Sequence, residues 1–133
     1  MSHETPILII DDSNSMRIAI RQMLMEEGYR EILMAQDGRE GMKCLKESMG
    51  ACGKRIGLIL CDWTMPNMSG IELLTATKKI DELKGIPFVM VTNEKRTDRI
   101  LQAVQAGAVD FIVKPFPPAL LLEKVKKHLV VRR

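Results

Sequence analysis

The sequence predicts an α/β protein in which five strand–helix units, (βα)5, form one doubly wound parallel five-stranded sheet. Two patterns predict this class: five short apolar runs alternate with longer segments of helical spacing, and none of the runs alternates apolar with polar residues. Continuous apolar strands are typical of a parallel sheet that helices cover on both faces. Right-handed crossovers between the strands favour the strand order 2-1-3-4-5.

The predicted strands are the apolar runs, which are rich in Ile, Leu, Val and Met. In chain order they cover residues 6–10, 32–35, 57–61, 87–91 and 111–113. The glycine-rich stretch 50–57 is predicted to be a surface connection that leads into the third strand.

The first helix is predicted to begin after Ser13, a suitable N-cap, and to end at Gly28. Its apolar residues recur at i, i+4, i+7 and i+8, on one helical face: Met16, Ile20, Met23 and Leu24.

The later helices carry comparable signals. Asp37 with Glu40, and Ser69 with Glu72, each match the capped start of a helix. A fourth helix is predicted over 96–106, before a glycine, and two consecutive prolines open the fifth. The apolar stripe of the fifth helix comprises Leu121, Leu122, Val125 and Leu129.

Length and composition fit a single domain over residues 1–133. The chain is 46% hydrophobic and 28% charged, and it contains no apolar run long enough to span a bilayer. The N-terminus lacks the pattern of a secretory signal or transit peptide, so a cytoplasmic location without membrane attachment is expected.

Charge and cysteine content argue against other classes. A net charge of +3, with a single Trp and a single Tyr, argues against a nucleic-acid partner. No C-x-x-C pair is present, which indicates reduced thiols at Cys44, Cys52 and Cys61. Lys95, Arg96 and Arg99 are interpreted as a solvated basic face that is able to steer an acidic partner. His3 is interpreted as part of a mobile tail. His128 is interpreted as a surface residue near the end of the last helix, where it complements the helix dipole.

Polar residues follow all five predicted strands, but Gln36 and Asp37 follow the second strand, which is expected at the far edge of the sheet and need not take part in a site. Asp11 and Asp12 follow the first strand, Asp62 the third, Thr92 the fourth and Lys114 the fifth. In open α/β sheets the ligand crevice lies beyond the carboxyl ends of the strands, where the strand order reverses. The third and fifth strands lie about 10 Å apart, most of which a lysine can span. We therefore expect these side chains to meet in one pocket.

The expected pocket suits a metal ion and phosphoryl chemistry. Clustered carboxylates repel one another, and a hard divalent cation relieves that repulsion. Mg²⁺ is favoured because it prefers oxygen ligands. An aspartate at residue 62, beside a cation and an ammonium group, suits nucleophilic attack on phosphorus to give an aspartyl phosphate. Lys114 and Thr92 would stabilise the charge of the transferring group.

Four motifs in this order resemble the receiver domains of two-component response regulators, most closely the single-domain chemotaxis regulators. They are "DD" at 11–12, "DWTMPNMSG" at 62–70, "VTNE" at 91–94 and "FIVKPF" at 111–116. The resemblance extends from about residue 6 to residue 131 and implies a flavodoxin-like receiver fold. The chemotaxis regulator is itself a standard example of the strand order 2-1-3-4-5, so that order is not independent of the resemblance.

The resemblance implies a role for each pocket residue. It implies that Asp62 is the phosphoacceptor, that Asp12, Asp62 and the Thr64 carbonyl bind Mg²⁺ directly, and that Asp11 acts mostly through water. It further implies that Lys114 pairs with the phosphoryl group and that Thr92 moves toward it.

Further roles carried over from the family concern switching and the rim of the pocket. Phe111 would turn inward as an aromatic switch, at a position where tyrosine is common, and the peptide bond before Pro115 would be cis. Thr64 stands where the chemotaxis regulators have an amide side chain, and with Glu94 it is expected to set the access of attacking water. Residues expected to modulate the pocket are Trp63, Thr64, Asn93, Glu94 and Pro115. Trp63 comes directly after Asp62 and is expected at the mouth of the pocket.

The implied function is phosphorelay signalling by a stand-alone regulator. The resemblance implies a sensor histidine kinase as donor, and a downstream target or phosphatase that binds the face of helix 4, strand 5 and helix 5. The resemblance implies a phosphoacceptor that assists its own phosphorylation and dephosphorylation and is not an enzyme for external substrates. Two alternatives stay open: a small phosphatase that forms an aspartyl phosphate, and a docking module that works without phosphorylation. Asp11 and Asp12 taken alone could simply cap a helix, and Phe111 taken alone could be plain core.

Overall fold

The computed structural model describes residues 2–50 and 55–130. Half of the predicted surface connection, residues 51–54 with Cys52, lies outside these residues. A short 3-10 helix, Ser2–Glu4, precedes the five strand–helix units. In chain order these units comprise β1 (Ile7–Ile10), α1 (Asn14–Glu26), β2 (Ile32–Ala35), α2 (Gly38–Ser48), β3 (Leu58–Cys61), α3 (Gly70–Lys78), β4 (Phe88–Thr92), α4 (Thr97–Ala106), β5 (Asp110–Val113) and α5 (Pro118–His128).

The five strands form one parallel sheet in the order β2-β1-β3-β4-β5, which confirms the predicted order. Ile10 at the end of β1 pairs with Cys61 at the end of β3. The residues that follow these two strands therefore leave the sheet side by side. This is the reversal point of the strand order, where the crevice of an open α/β sheet lies.

Successive side chains of each strand point to opposite faces of the sheet, so the core has two halves. Helices α1 and α5 cover one face, packed on Ile7 and Ile9 among others. Helices α2, α3 and α4 cover the other face, which includes Leu8 and Ile10. Cys61 faces this second half and is fully buried, and its thiol donates a hydrogen bond to the Asp62 carbonyl at 3.2 Å.

Burial on both faces is observed for β1, β3 and β4, but the prediction is wrong for the two edge strands, β2 and β5, in each of which only one residue is buried. Leu33 and Met34 in β2 are 39% and 38% exposed. The reason is position in the sheet: β2 is an edge strand with one neighbour, so the covering helices shield it only partly.

The predicted starts of the first three helices are confirmed. The Ser13 side chain accepts a hydrogen bond from the Met16 amide at 3.2 Å, and Asp37 accepts one from the Glu40 amide at 2.9 Å. Ser69 and Glu72 form a capping box at the start of α3. Each cap satisfies an amide group that has no partner within its own helix.

The N-terminal segment is packed against the domain, so the prediction of a mobile tail at His3 is wrong. The His3 ring lies 4.6 Å from the Tyr29 ring between centroids, and the His3 carbonyl accepts a hydrogen bond from the Arg30 amide at 3.0 Å. Tyr29 is buried, so this stacking closes one end of the core beside α1.

We expect Gly70→Ala to lower the free energy of unfolding by about 2–3 kcal/mol, since overpacking in a closely packed place costs this much. A β-carbon at Gly70 would collide with the Asp62 carbonyl oxygen and lie 3.0 Å from the Trp63 α-carbon. Both obstacles are backbone atoms, so neither can yield without displacing the loop after β3. Urea denaturation measures the loss.

Gly50→Ala is the matched control for this prediction. A β-carbon there would meet the Glu47 carbonyl oxygen at 3.2 Å on an exposed surface, so a loss of about 0.5 kcal/mol is expected. Equal losses in the two variants would contradict the close approach at Gly70.

Candidate functional site

The residues that follow three strands are held in place by hydrogen bonds that continue the sheet. The Asp62 amide donates to the Ile10 carbonyl at 2.9 Å, and the Lys114 amide donates to the Thr92 carbonyl at 2.9 Å. The Asp11 amide donates to the β2 strand in the same way, at 3.1 Å. The side chains of the site therefore project from rigid backbone at one edge of the sheet.

Asp11, Asp12 and Asp62 form a cluster of carboxylates. Each offers one oxygen atom, and these atoms all lie within 4.8 Å of one another. Asp11 and Asp62 are buried, whereas Asp12 is exposed, so the cluster opens to solvent on the side of Asp12. Three hard oxygen ligands beside open solvent suit a small divalent cation that keeps part of its water shell.

Lys114 joins the cluster from β5. Its Nζ atom lies 2.6 Å from Asp11 Oδ2 and 3.3 Å from Asp62 Oδ2, and the side chain is buried. The predicted meeting of these side chains is therefore observed, and the closest partner of the ammonium group is Asp11. The Lys114–Pro115 peptide bond is cis, as the family resemblance implied.

The surroundings of Asp62 act on its pKa in both directions, and the net effect raises it. Burial is the largest influence and raises the pKa, which the Lys114 ammonium group opposes and the Asp11 carboxylate reinforces. Hydrogen bonds from the Thr92 hydroxyl and from the Trp63 amide lower the pKa by smaller amounts. Without a bound cation, ionisation of the Asp62 carboxylate therefore costs free energy, and a bound cation would reduce that cost.

The two predicted switch residues lie in the neighbouring strands β4 and β5. Thr92 is buried at the end of β4, and its hydroxyl accepts a hydrogen bond from the Glu94 amide at 3.3 Å. Phe111 in β5 is partly buried and packs against the half of the core that α2, α3 and α4 cover.

The residues predicted to modulate the pocket differ in burial. Thr64, Asn93 and Pro115 are exposed, and Glu94 is half-buried with its carboxylate accepting a hydrogen bond from the Arg96 amide at 3.0 Å. The exception is Trp63, which was expected at the mouth of the pocket but is only 5% exposed, within the core.

A hydrogen bond that joins two loops, here called the tether, was not predicted from the sequence. Asn67, which has a positive φ of 68°, donates from Nδ2 to Asp37 Oδ2 at 2.8 Å. The same carboxylate caps α2, so Asp37 fastens the loop after Asp62 to the start of the neighbouring helix. The sequence indicates a turn at Asn67, but it does not indicate that the Asn67 side chain bonds to a residue 30 positions away.

The Asp37 tether gives a pH-dependent prediction. Hydrogen bonds from the Glu40 amide and then from Asn67 hold the pKa of Asp37 below its ordinary value. Its charge therefore stabilises the fold fully above the ordinary carboxyl pKa of about 3.9, and this stabilisation is lost as the pH falls below that value. We expect Asp37→Ala to cost about 1–2 kcal/mol at pH 7, because a cap is removed.

Urea denaturation at pH 7 and at about pH 3 checks this prediction, since the difference between Asp37→Ala and the unchanged protein should shrink at the lower pH. Asp37→Asn is the matched control: it can still cap α2 and accept from Asn67, but it carries no charge. A cost of Asp37→Ala that is the same at both pH values would contradict the role of the charge.

Two further polar clusters were also missed. Asp110 Oδ2 in β5 lies 2.8 Å from His128 Nε2 and 3.1 Å from Lys124 Nζ, and both partners are in α5. His128 was expected to be a surface residue that complements the helix dipole, but it pairs with Asp110 instead. Burial raises the pKa of Asp110, but its hydrogen bonds, first that with His128, outweigh burial and lower it. Arg17 donates to the Asp11 carbonyl at 2.6 Å and supports the first acidic loop.

Comparison with known proteins identifies the class that this fold and site define. The family model for the response regulator receiver domain matches residues 7–126. The chain therefore belongs to the response regulator receiver domain family, which confirms the resemblance and is consistent with phosphorelay signalling.

The relatives place the chain near the chemotaxis regulators. It is 37% identical over 121 residues to the chemotaxis protein CheY of Pseudomonas aeruginosa, covering 91% of this chain and 93% of that protein. Chemotaxis protein CheY-3 of Vibrio cholerae is also 37% identical, with 91% and 88% covered. The solved structure of the V. cholerae chemotaxis protein CheY4 has a TM-score of 0.84 at 31% identity, with 95% and 99% covered. Within the described part of the chain, no helix has the length and apolarity that crossing a membrane requires.

Proposed function

We propose that residues 1–133 form a single receiver domain that takes a phosphoryl group from a sensor histidine kinase onto Asp62. The observation that carries the proposal is the position of the Asp62 carboxylate, buried between the Asp11 and Asp12 carboxylates and the Lys114 ammonium group. This arrangement has a nucleophile, a cluster of hard oxygen ligands and a fixed cation within one small volume. Phosphoryl transfer needs little else from a protein, because positioning and electrostatics dominate its catalysis.

The three carboxylates suit Mg²⁺, and the family roles extend naturally to them. In the proposal Asp12, Asp62 and the Thr64 carbonyl would hold the ion, and Asp11 would contribute mostly through water. Asp11 is buried and paired with Lys114 at 2.6 Å, whereas Asp12 is exposed at the open side of the cluster, which supports this division. Bound Mg²⁺ would neutralise part of the charge that gathers on the phosphoryl oxygens.

The residues of the chain then act in one in-line step. A carboxylate oxygen of Asp62 attacks phosphorus, the phosphorus–nitrogen bond of the donor phosphohistidine breaks, and the electron pair leaves with the imidazole. Lys114 and the Thr92 hydroxyl donate hydrogen bonds to the phosphoryl oxygens as the transfer proceeds. Water later attacks the aspartyl phosphate, with access set by Thr64 and Glu94 at the rim and influenced by the neighbouring Trp63, Asn93 and Pro115.

The output of this step is a change in the face formed by α4, β5 and α5. The added negative charge draws Thr92 toward the phosphoryl group, and Phe111 moves inward behind it, so the population of two surface states shifts. Three apolar side chains near this face are about half exposed, which is typical of a protein-binding surface: Leu101, Val104 and Val109. A downstream target or phosphatase would bind here.

Incubation with Mg²⁺ and acetyl phosphate, followed by intact mass measurement, tests the proposal. One added phosphoryl group that is stable to acid and labile to base is expected. Repeated turnover of unrelated phosphoesters would instead support the small phosphatase. Absence of any adduct would support a docking module that works without phosphorylation.

A further inference from the structure

The side chain of Arg99 in α4 lies over the only tryptophan of the chain. Its guanidinium carbon is 5.5 Å from the centroid of the Trp63 ring, which is within the range of a cation–π interaction. Trp63 is buried and Arg99 is half-buried, and partial removal from water strengthens such a contact. No carboxylate pairs with Arg99 among residues 2–50 and 55–130, so the ring is its partner there.

The other side of Trp63 is joined to the phosphoacceptor. Its amide donates a hydrogen bond to Asp62 Oδ1 at 2.7 Å, and its carbonyl accepts one from the Gly70 amide at 2.8 Å. The backbone of Trp63 is therefore held at both polar groups. A shift of the Asp62 carboxylate therefore acts on Trp63, whose ring contacts Arg99 of α4.

Helix α4 is weakly held at its start, so a single contact there can matter. Arg96 at the N-cap position makes no side-chain cap, and Ala103 is the only residue of α4 that is fully buried. Helices with few buried contacts are those whose position a local change can shift.

We propose that Arg99 is a positioning residue that couples the phosphorylation of Asp62 to the position of α4 through the Trp63 ring. The inference rests on the proposed function, since phosphorylation is the event that is transmitted. The new negative charge attracts the Arg99 guanidinium group away from the ring, and the first half of α4 follows. This connection runs from β3 directly to α4, and it is separate from the one through Thr92 and Phe111 in β4 and β5.

The test compares Arg99→Gln, Arg99→Lys and the control Arg96→Gln. The control removes one positive charge from the start of the same helix, at an exposed position whose partner is Asp98. Three quantities are measured with and without Mg²⁺ and acetyl phosphate: the adduct by intact mass, the emission of Trp63, and amide hydrogen exchange over residues 97–106. Intact mass separates failure of phosphorylation from failure of coupling.

In the unchanged protein, the adduct should alter both the emission of Trp63 and the exchange of α4 amides. Arg99→Gln should form the same amount of adduct, while the phosphorylation-dependent change in α4 exchange falls by about two- to fivefold, the equivalent of one cation–π contact. Arg99→Lys should retain an intermediate response, and Arg96→Gln a full one. Arg99→Gln should also shift the emission of Trp63 before any phosphodonor is added.

Three results would overturn the inference. The first is a full α4 response in Arg99→Gln at unchanged adduct, which shows that the coupling runs elsewhere. The second is an unshifted Trp63 emission in the unphosphorylated variant, which shows that the contact is absent in solution. The third is the absence of adduct in the unchanged protein, which removes the proposed function and the inference with it.

Discussion

Asp62→Asn is expected to abolish phosphorylation. The amide oxygen of asparagine is a far weaker nucleophile than a carboxylate, and the other buried carboxylate of the pocket, Asp11, is held as the closest partner of the Lys114 ammonium group at 2.6 Å. Incubation with Mg²⁺ and acetyl phosphate should give no increase in intact mass for the variant. Asp81→Asn is the matched control, since Asp81 is an exposed carboxylate paired with Lys84 on the surface, and it should leave phosphorylation unchanged.

The Asp62→Asn variant should remain folded, so the loss of phosphorylation cannot be attributed to unfolding. Burial raises the pKa of Asp62, which means that its ionised form costs folding free energy at pH values above that pKa. Asparagine carries no such cost, although it loses the contact with Lys114. We expect an unfolding free energy within about 1 kcal/mol of the unchanged protein. An adduct of normal yield in the folded variant would show that Asp62 is not the acceptor.

Lys114→Ala is expected to have two large effects. Without Mg²⁺ it should destabilise the protein by about 3 kcal/mol or more, because the buried Asp11 carboxylate loses its closest partner. It should also slow phosphorylation by acetyl phosphate about 100-fold, the usual effect of removing one preorganised donor that stabilises the transferring group. Urea denaturation and the time course of the intact mass measure the two effects.

Mg²⁺ separates these two effects of Lys114→Ala. The carboxylates remain, so the variant should still bind Mg²⁺, and saturating Mg²⁺ should restore most of the lost stability. The adduct that forms slowly in this variant should not change the surface around Phe111. Amide hydrogen exchange over β5 measures that change. Lys126→Ala, at an exposed lysine of α5, controls for charge. Retained coupling in Lys114→Ala would show that the ammonium group does not report the phosphoryl group.

Much of the fold was predictable because its signals are local. Apolar runs without alternation marked the strands, and short-range pairs such as Ser69 with Glu72 marked helix starts that the structure confirms. The strand prediction was wrong where it depended on the sheet as a whole. Leu33 and Met34 have the composition of a buried strand, and only their place at the edge exposes them.

The convergence of the site was also predictable, for a topological reason. Every strand of a parallel sheet ends at the same edge, so an acid after β1, an acid after β3 and a lysine after β5 must lie near one another whatever the details of packing. The separations of 103 and 52 residues between Lys114 and its two acidic partners present no obstacle to this argument.

Residue patterns alone were thus sufficient to predict the class of fold, the strand order, the helix starts and the meeting of Asp11, Asp12, Asp62 and Lys114. Four contacts were visible only in the folded protein: the close pairing of Lys114 with Asp11, the burial of Trp63 under Arg99, the bond between Asn67 and Asp37, and the pairing of His128 with Asp110. Each of these contacts joins two elements whose relative rotation and side-chain rotamers are set by packing. No local periodicity or capping signal encodes that rotation, so the pairs become visible only when the helices lie on the sheet.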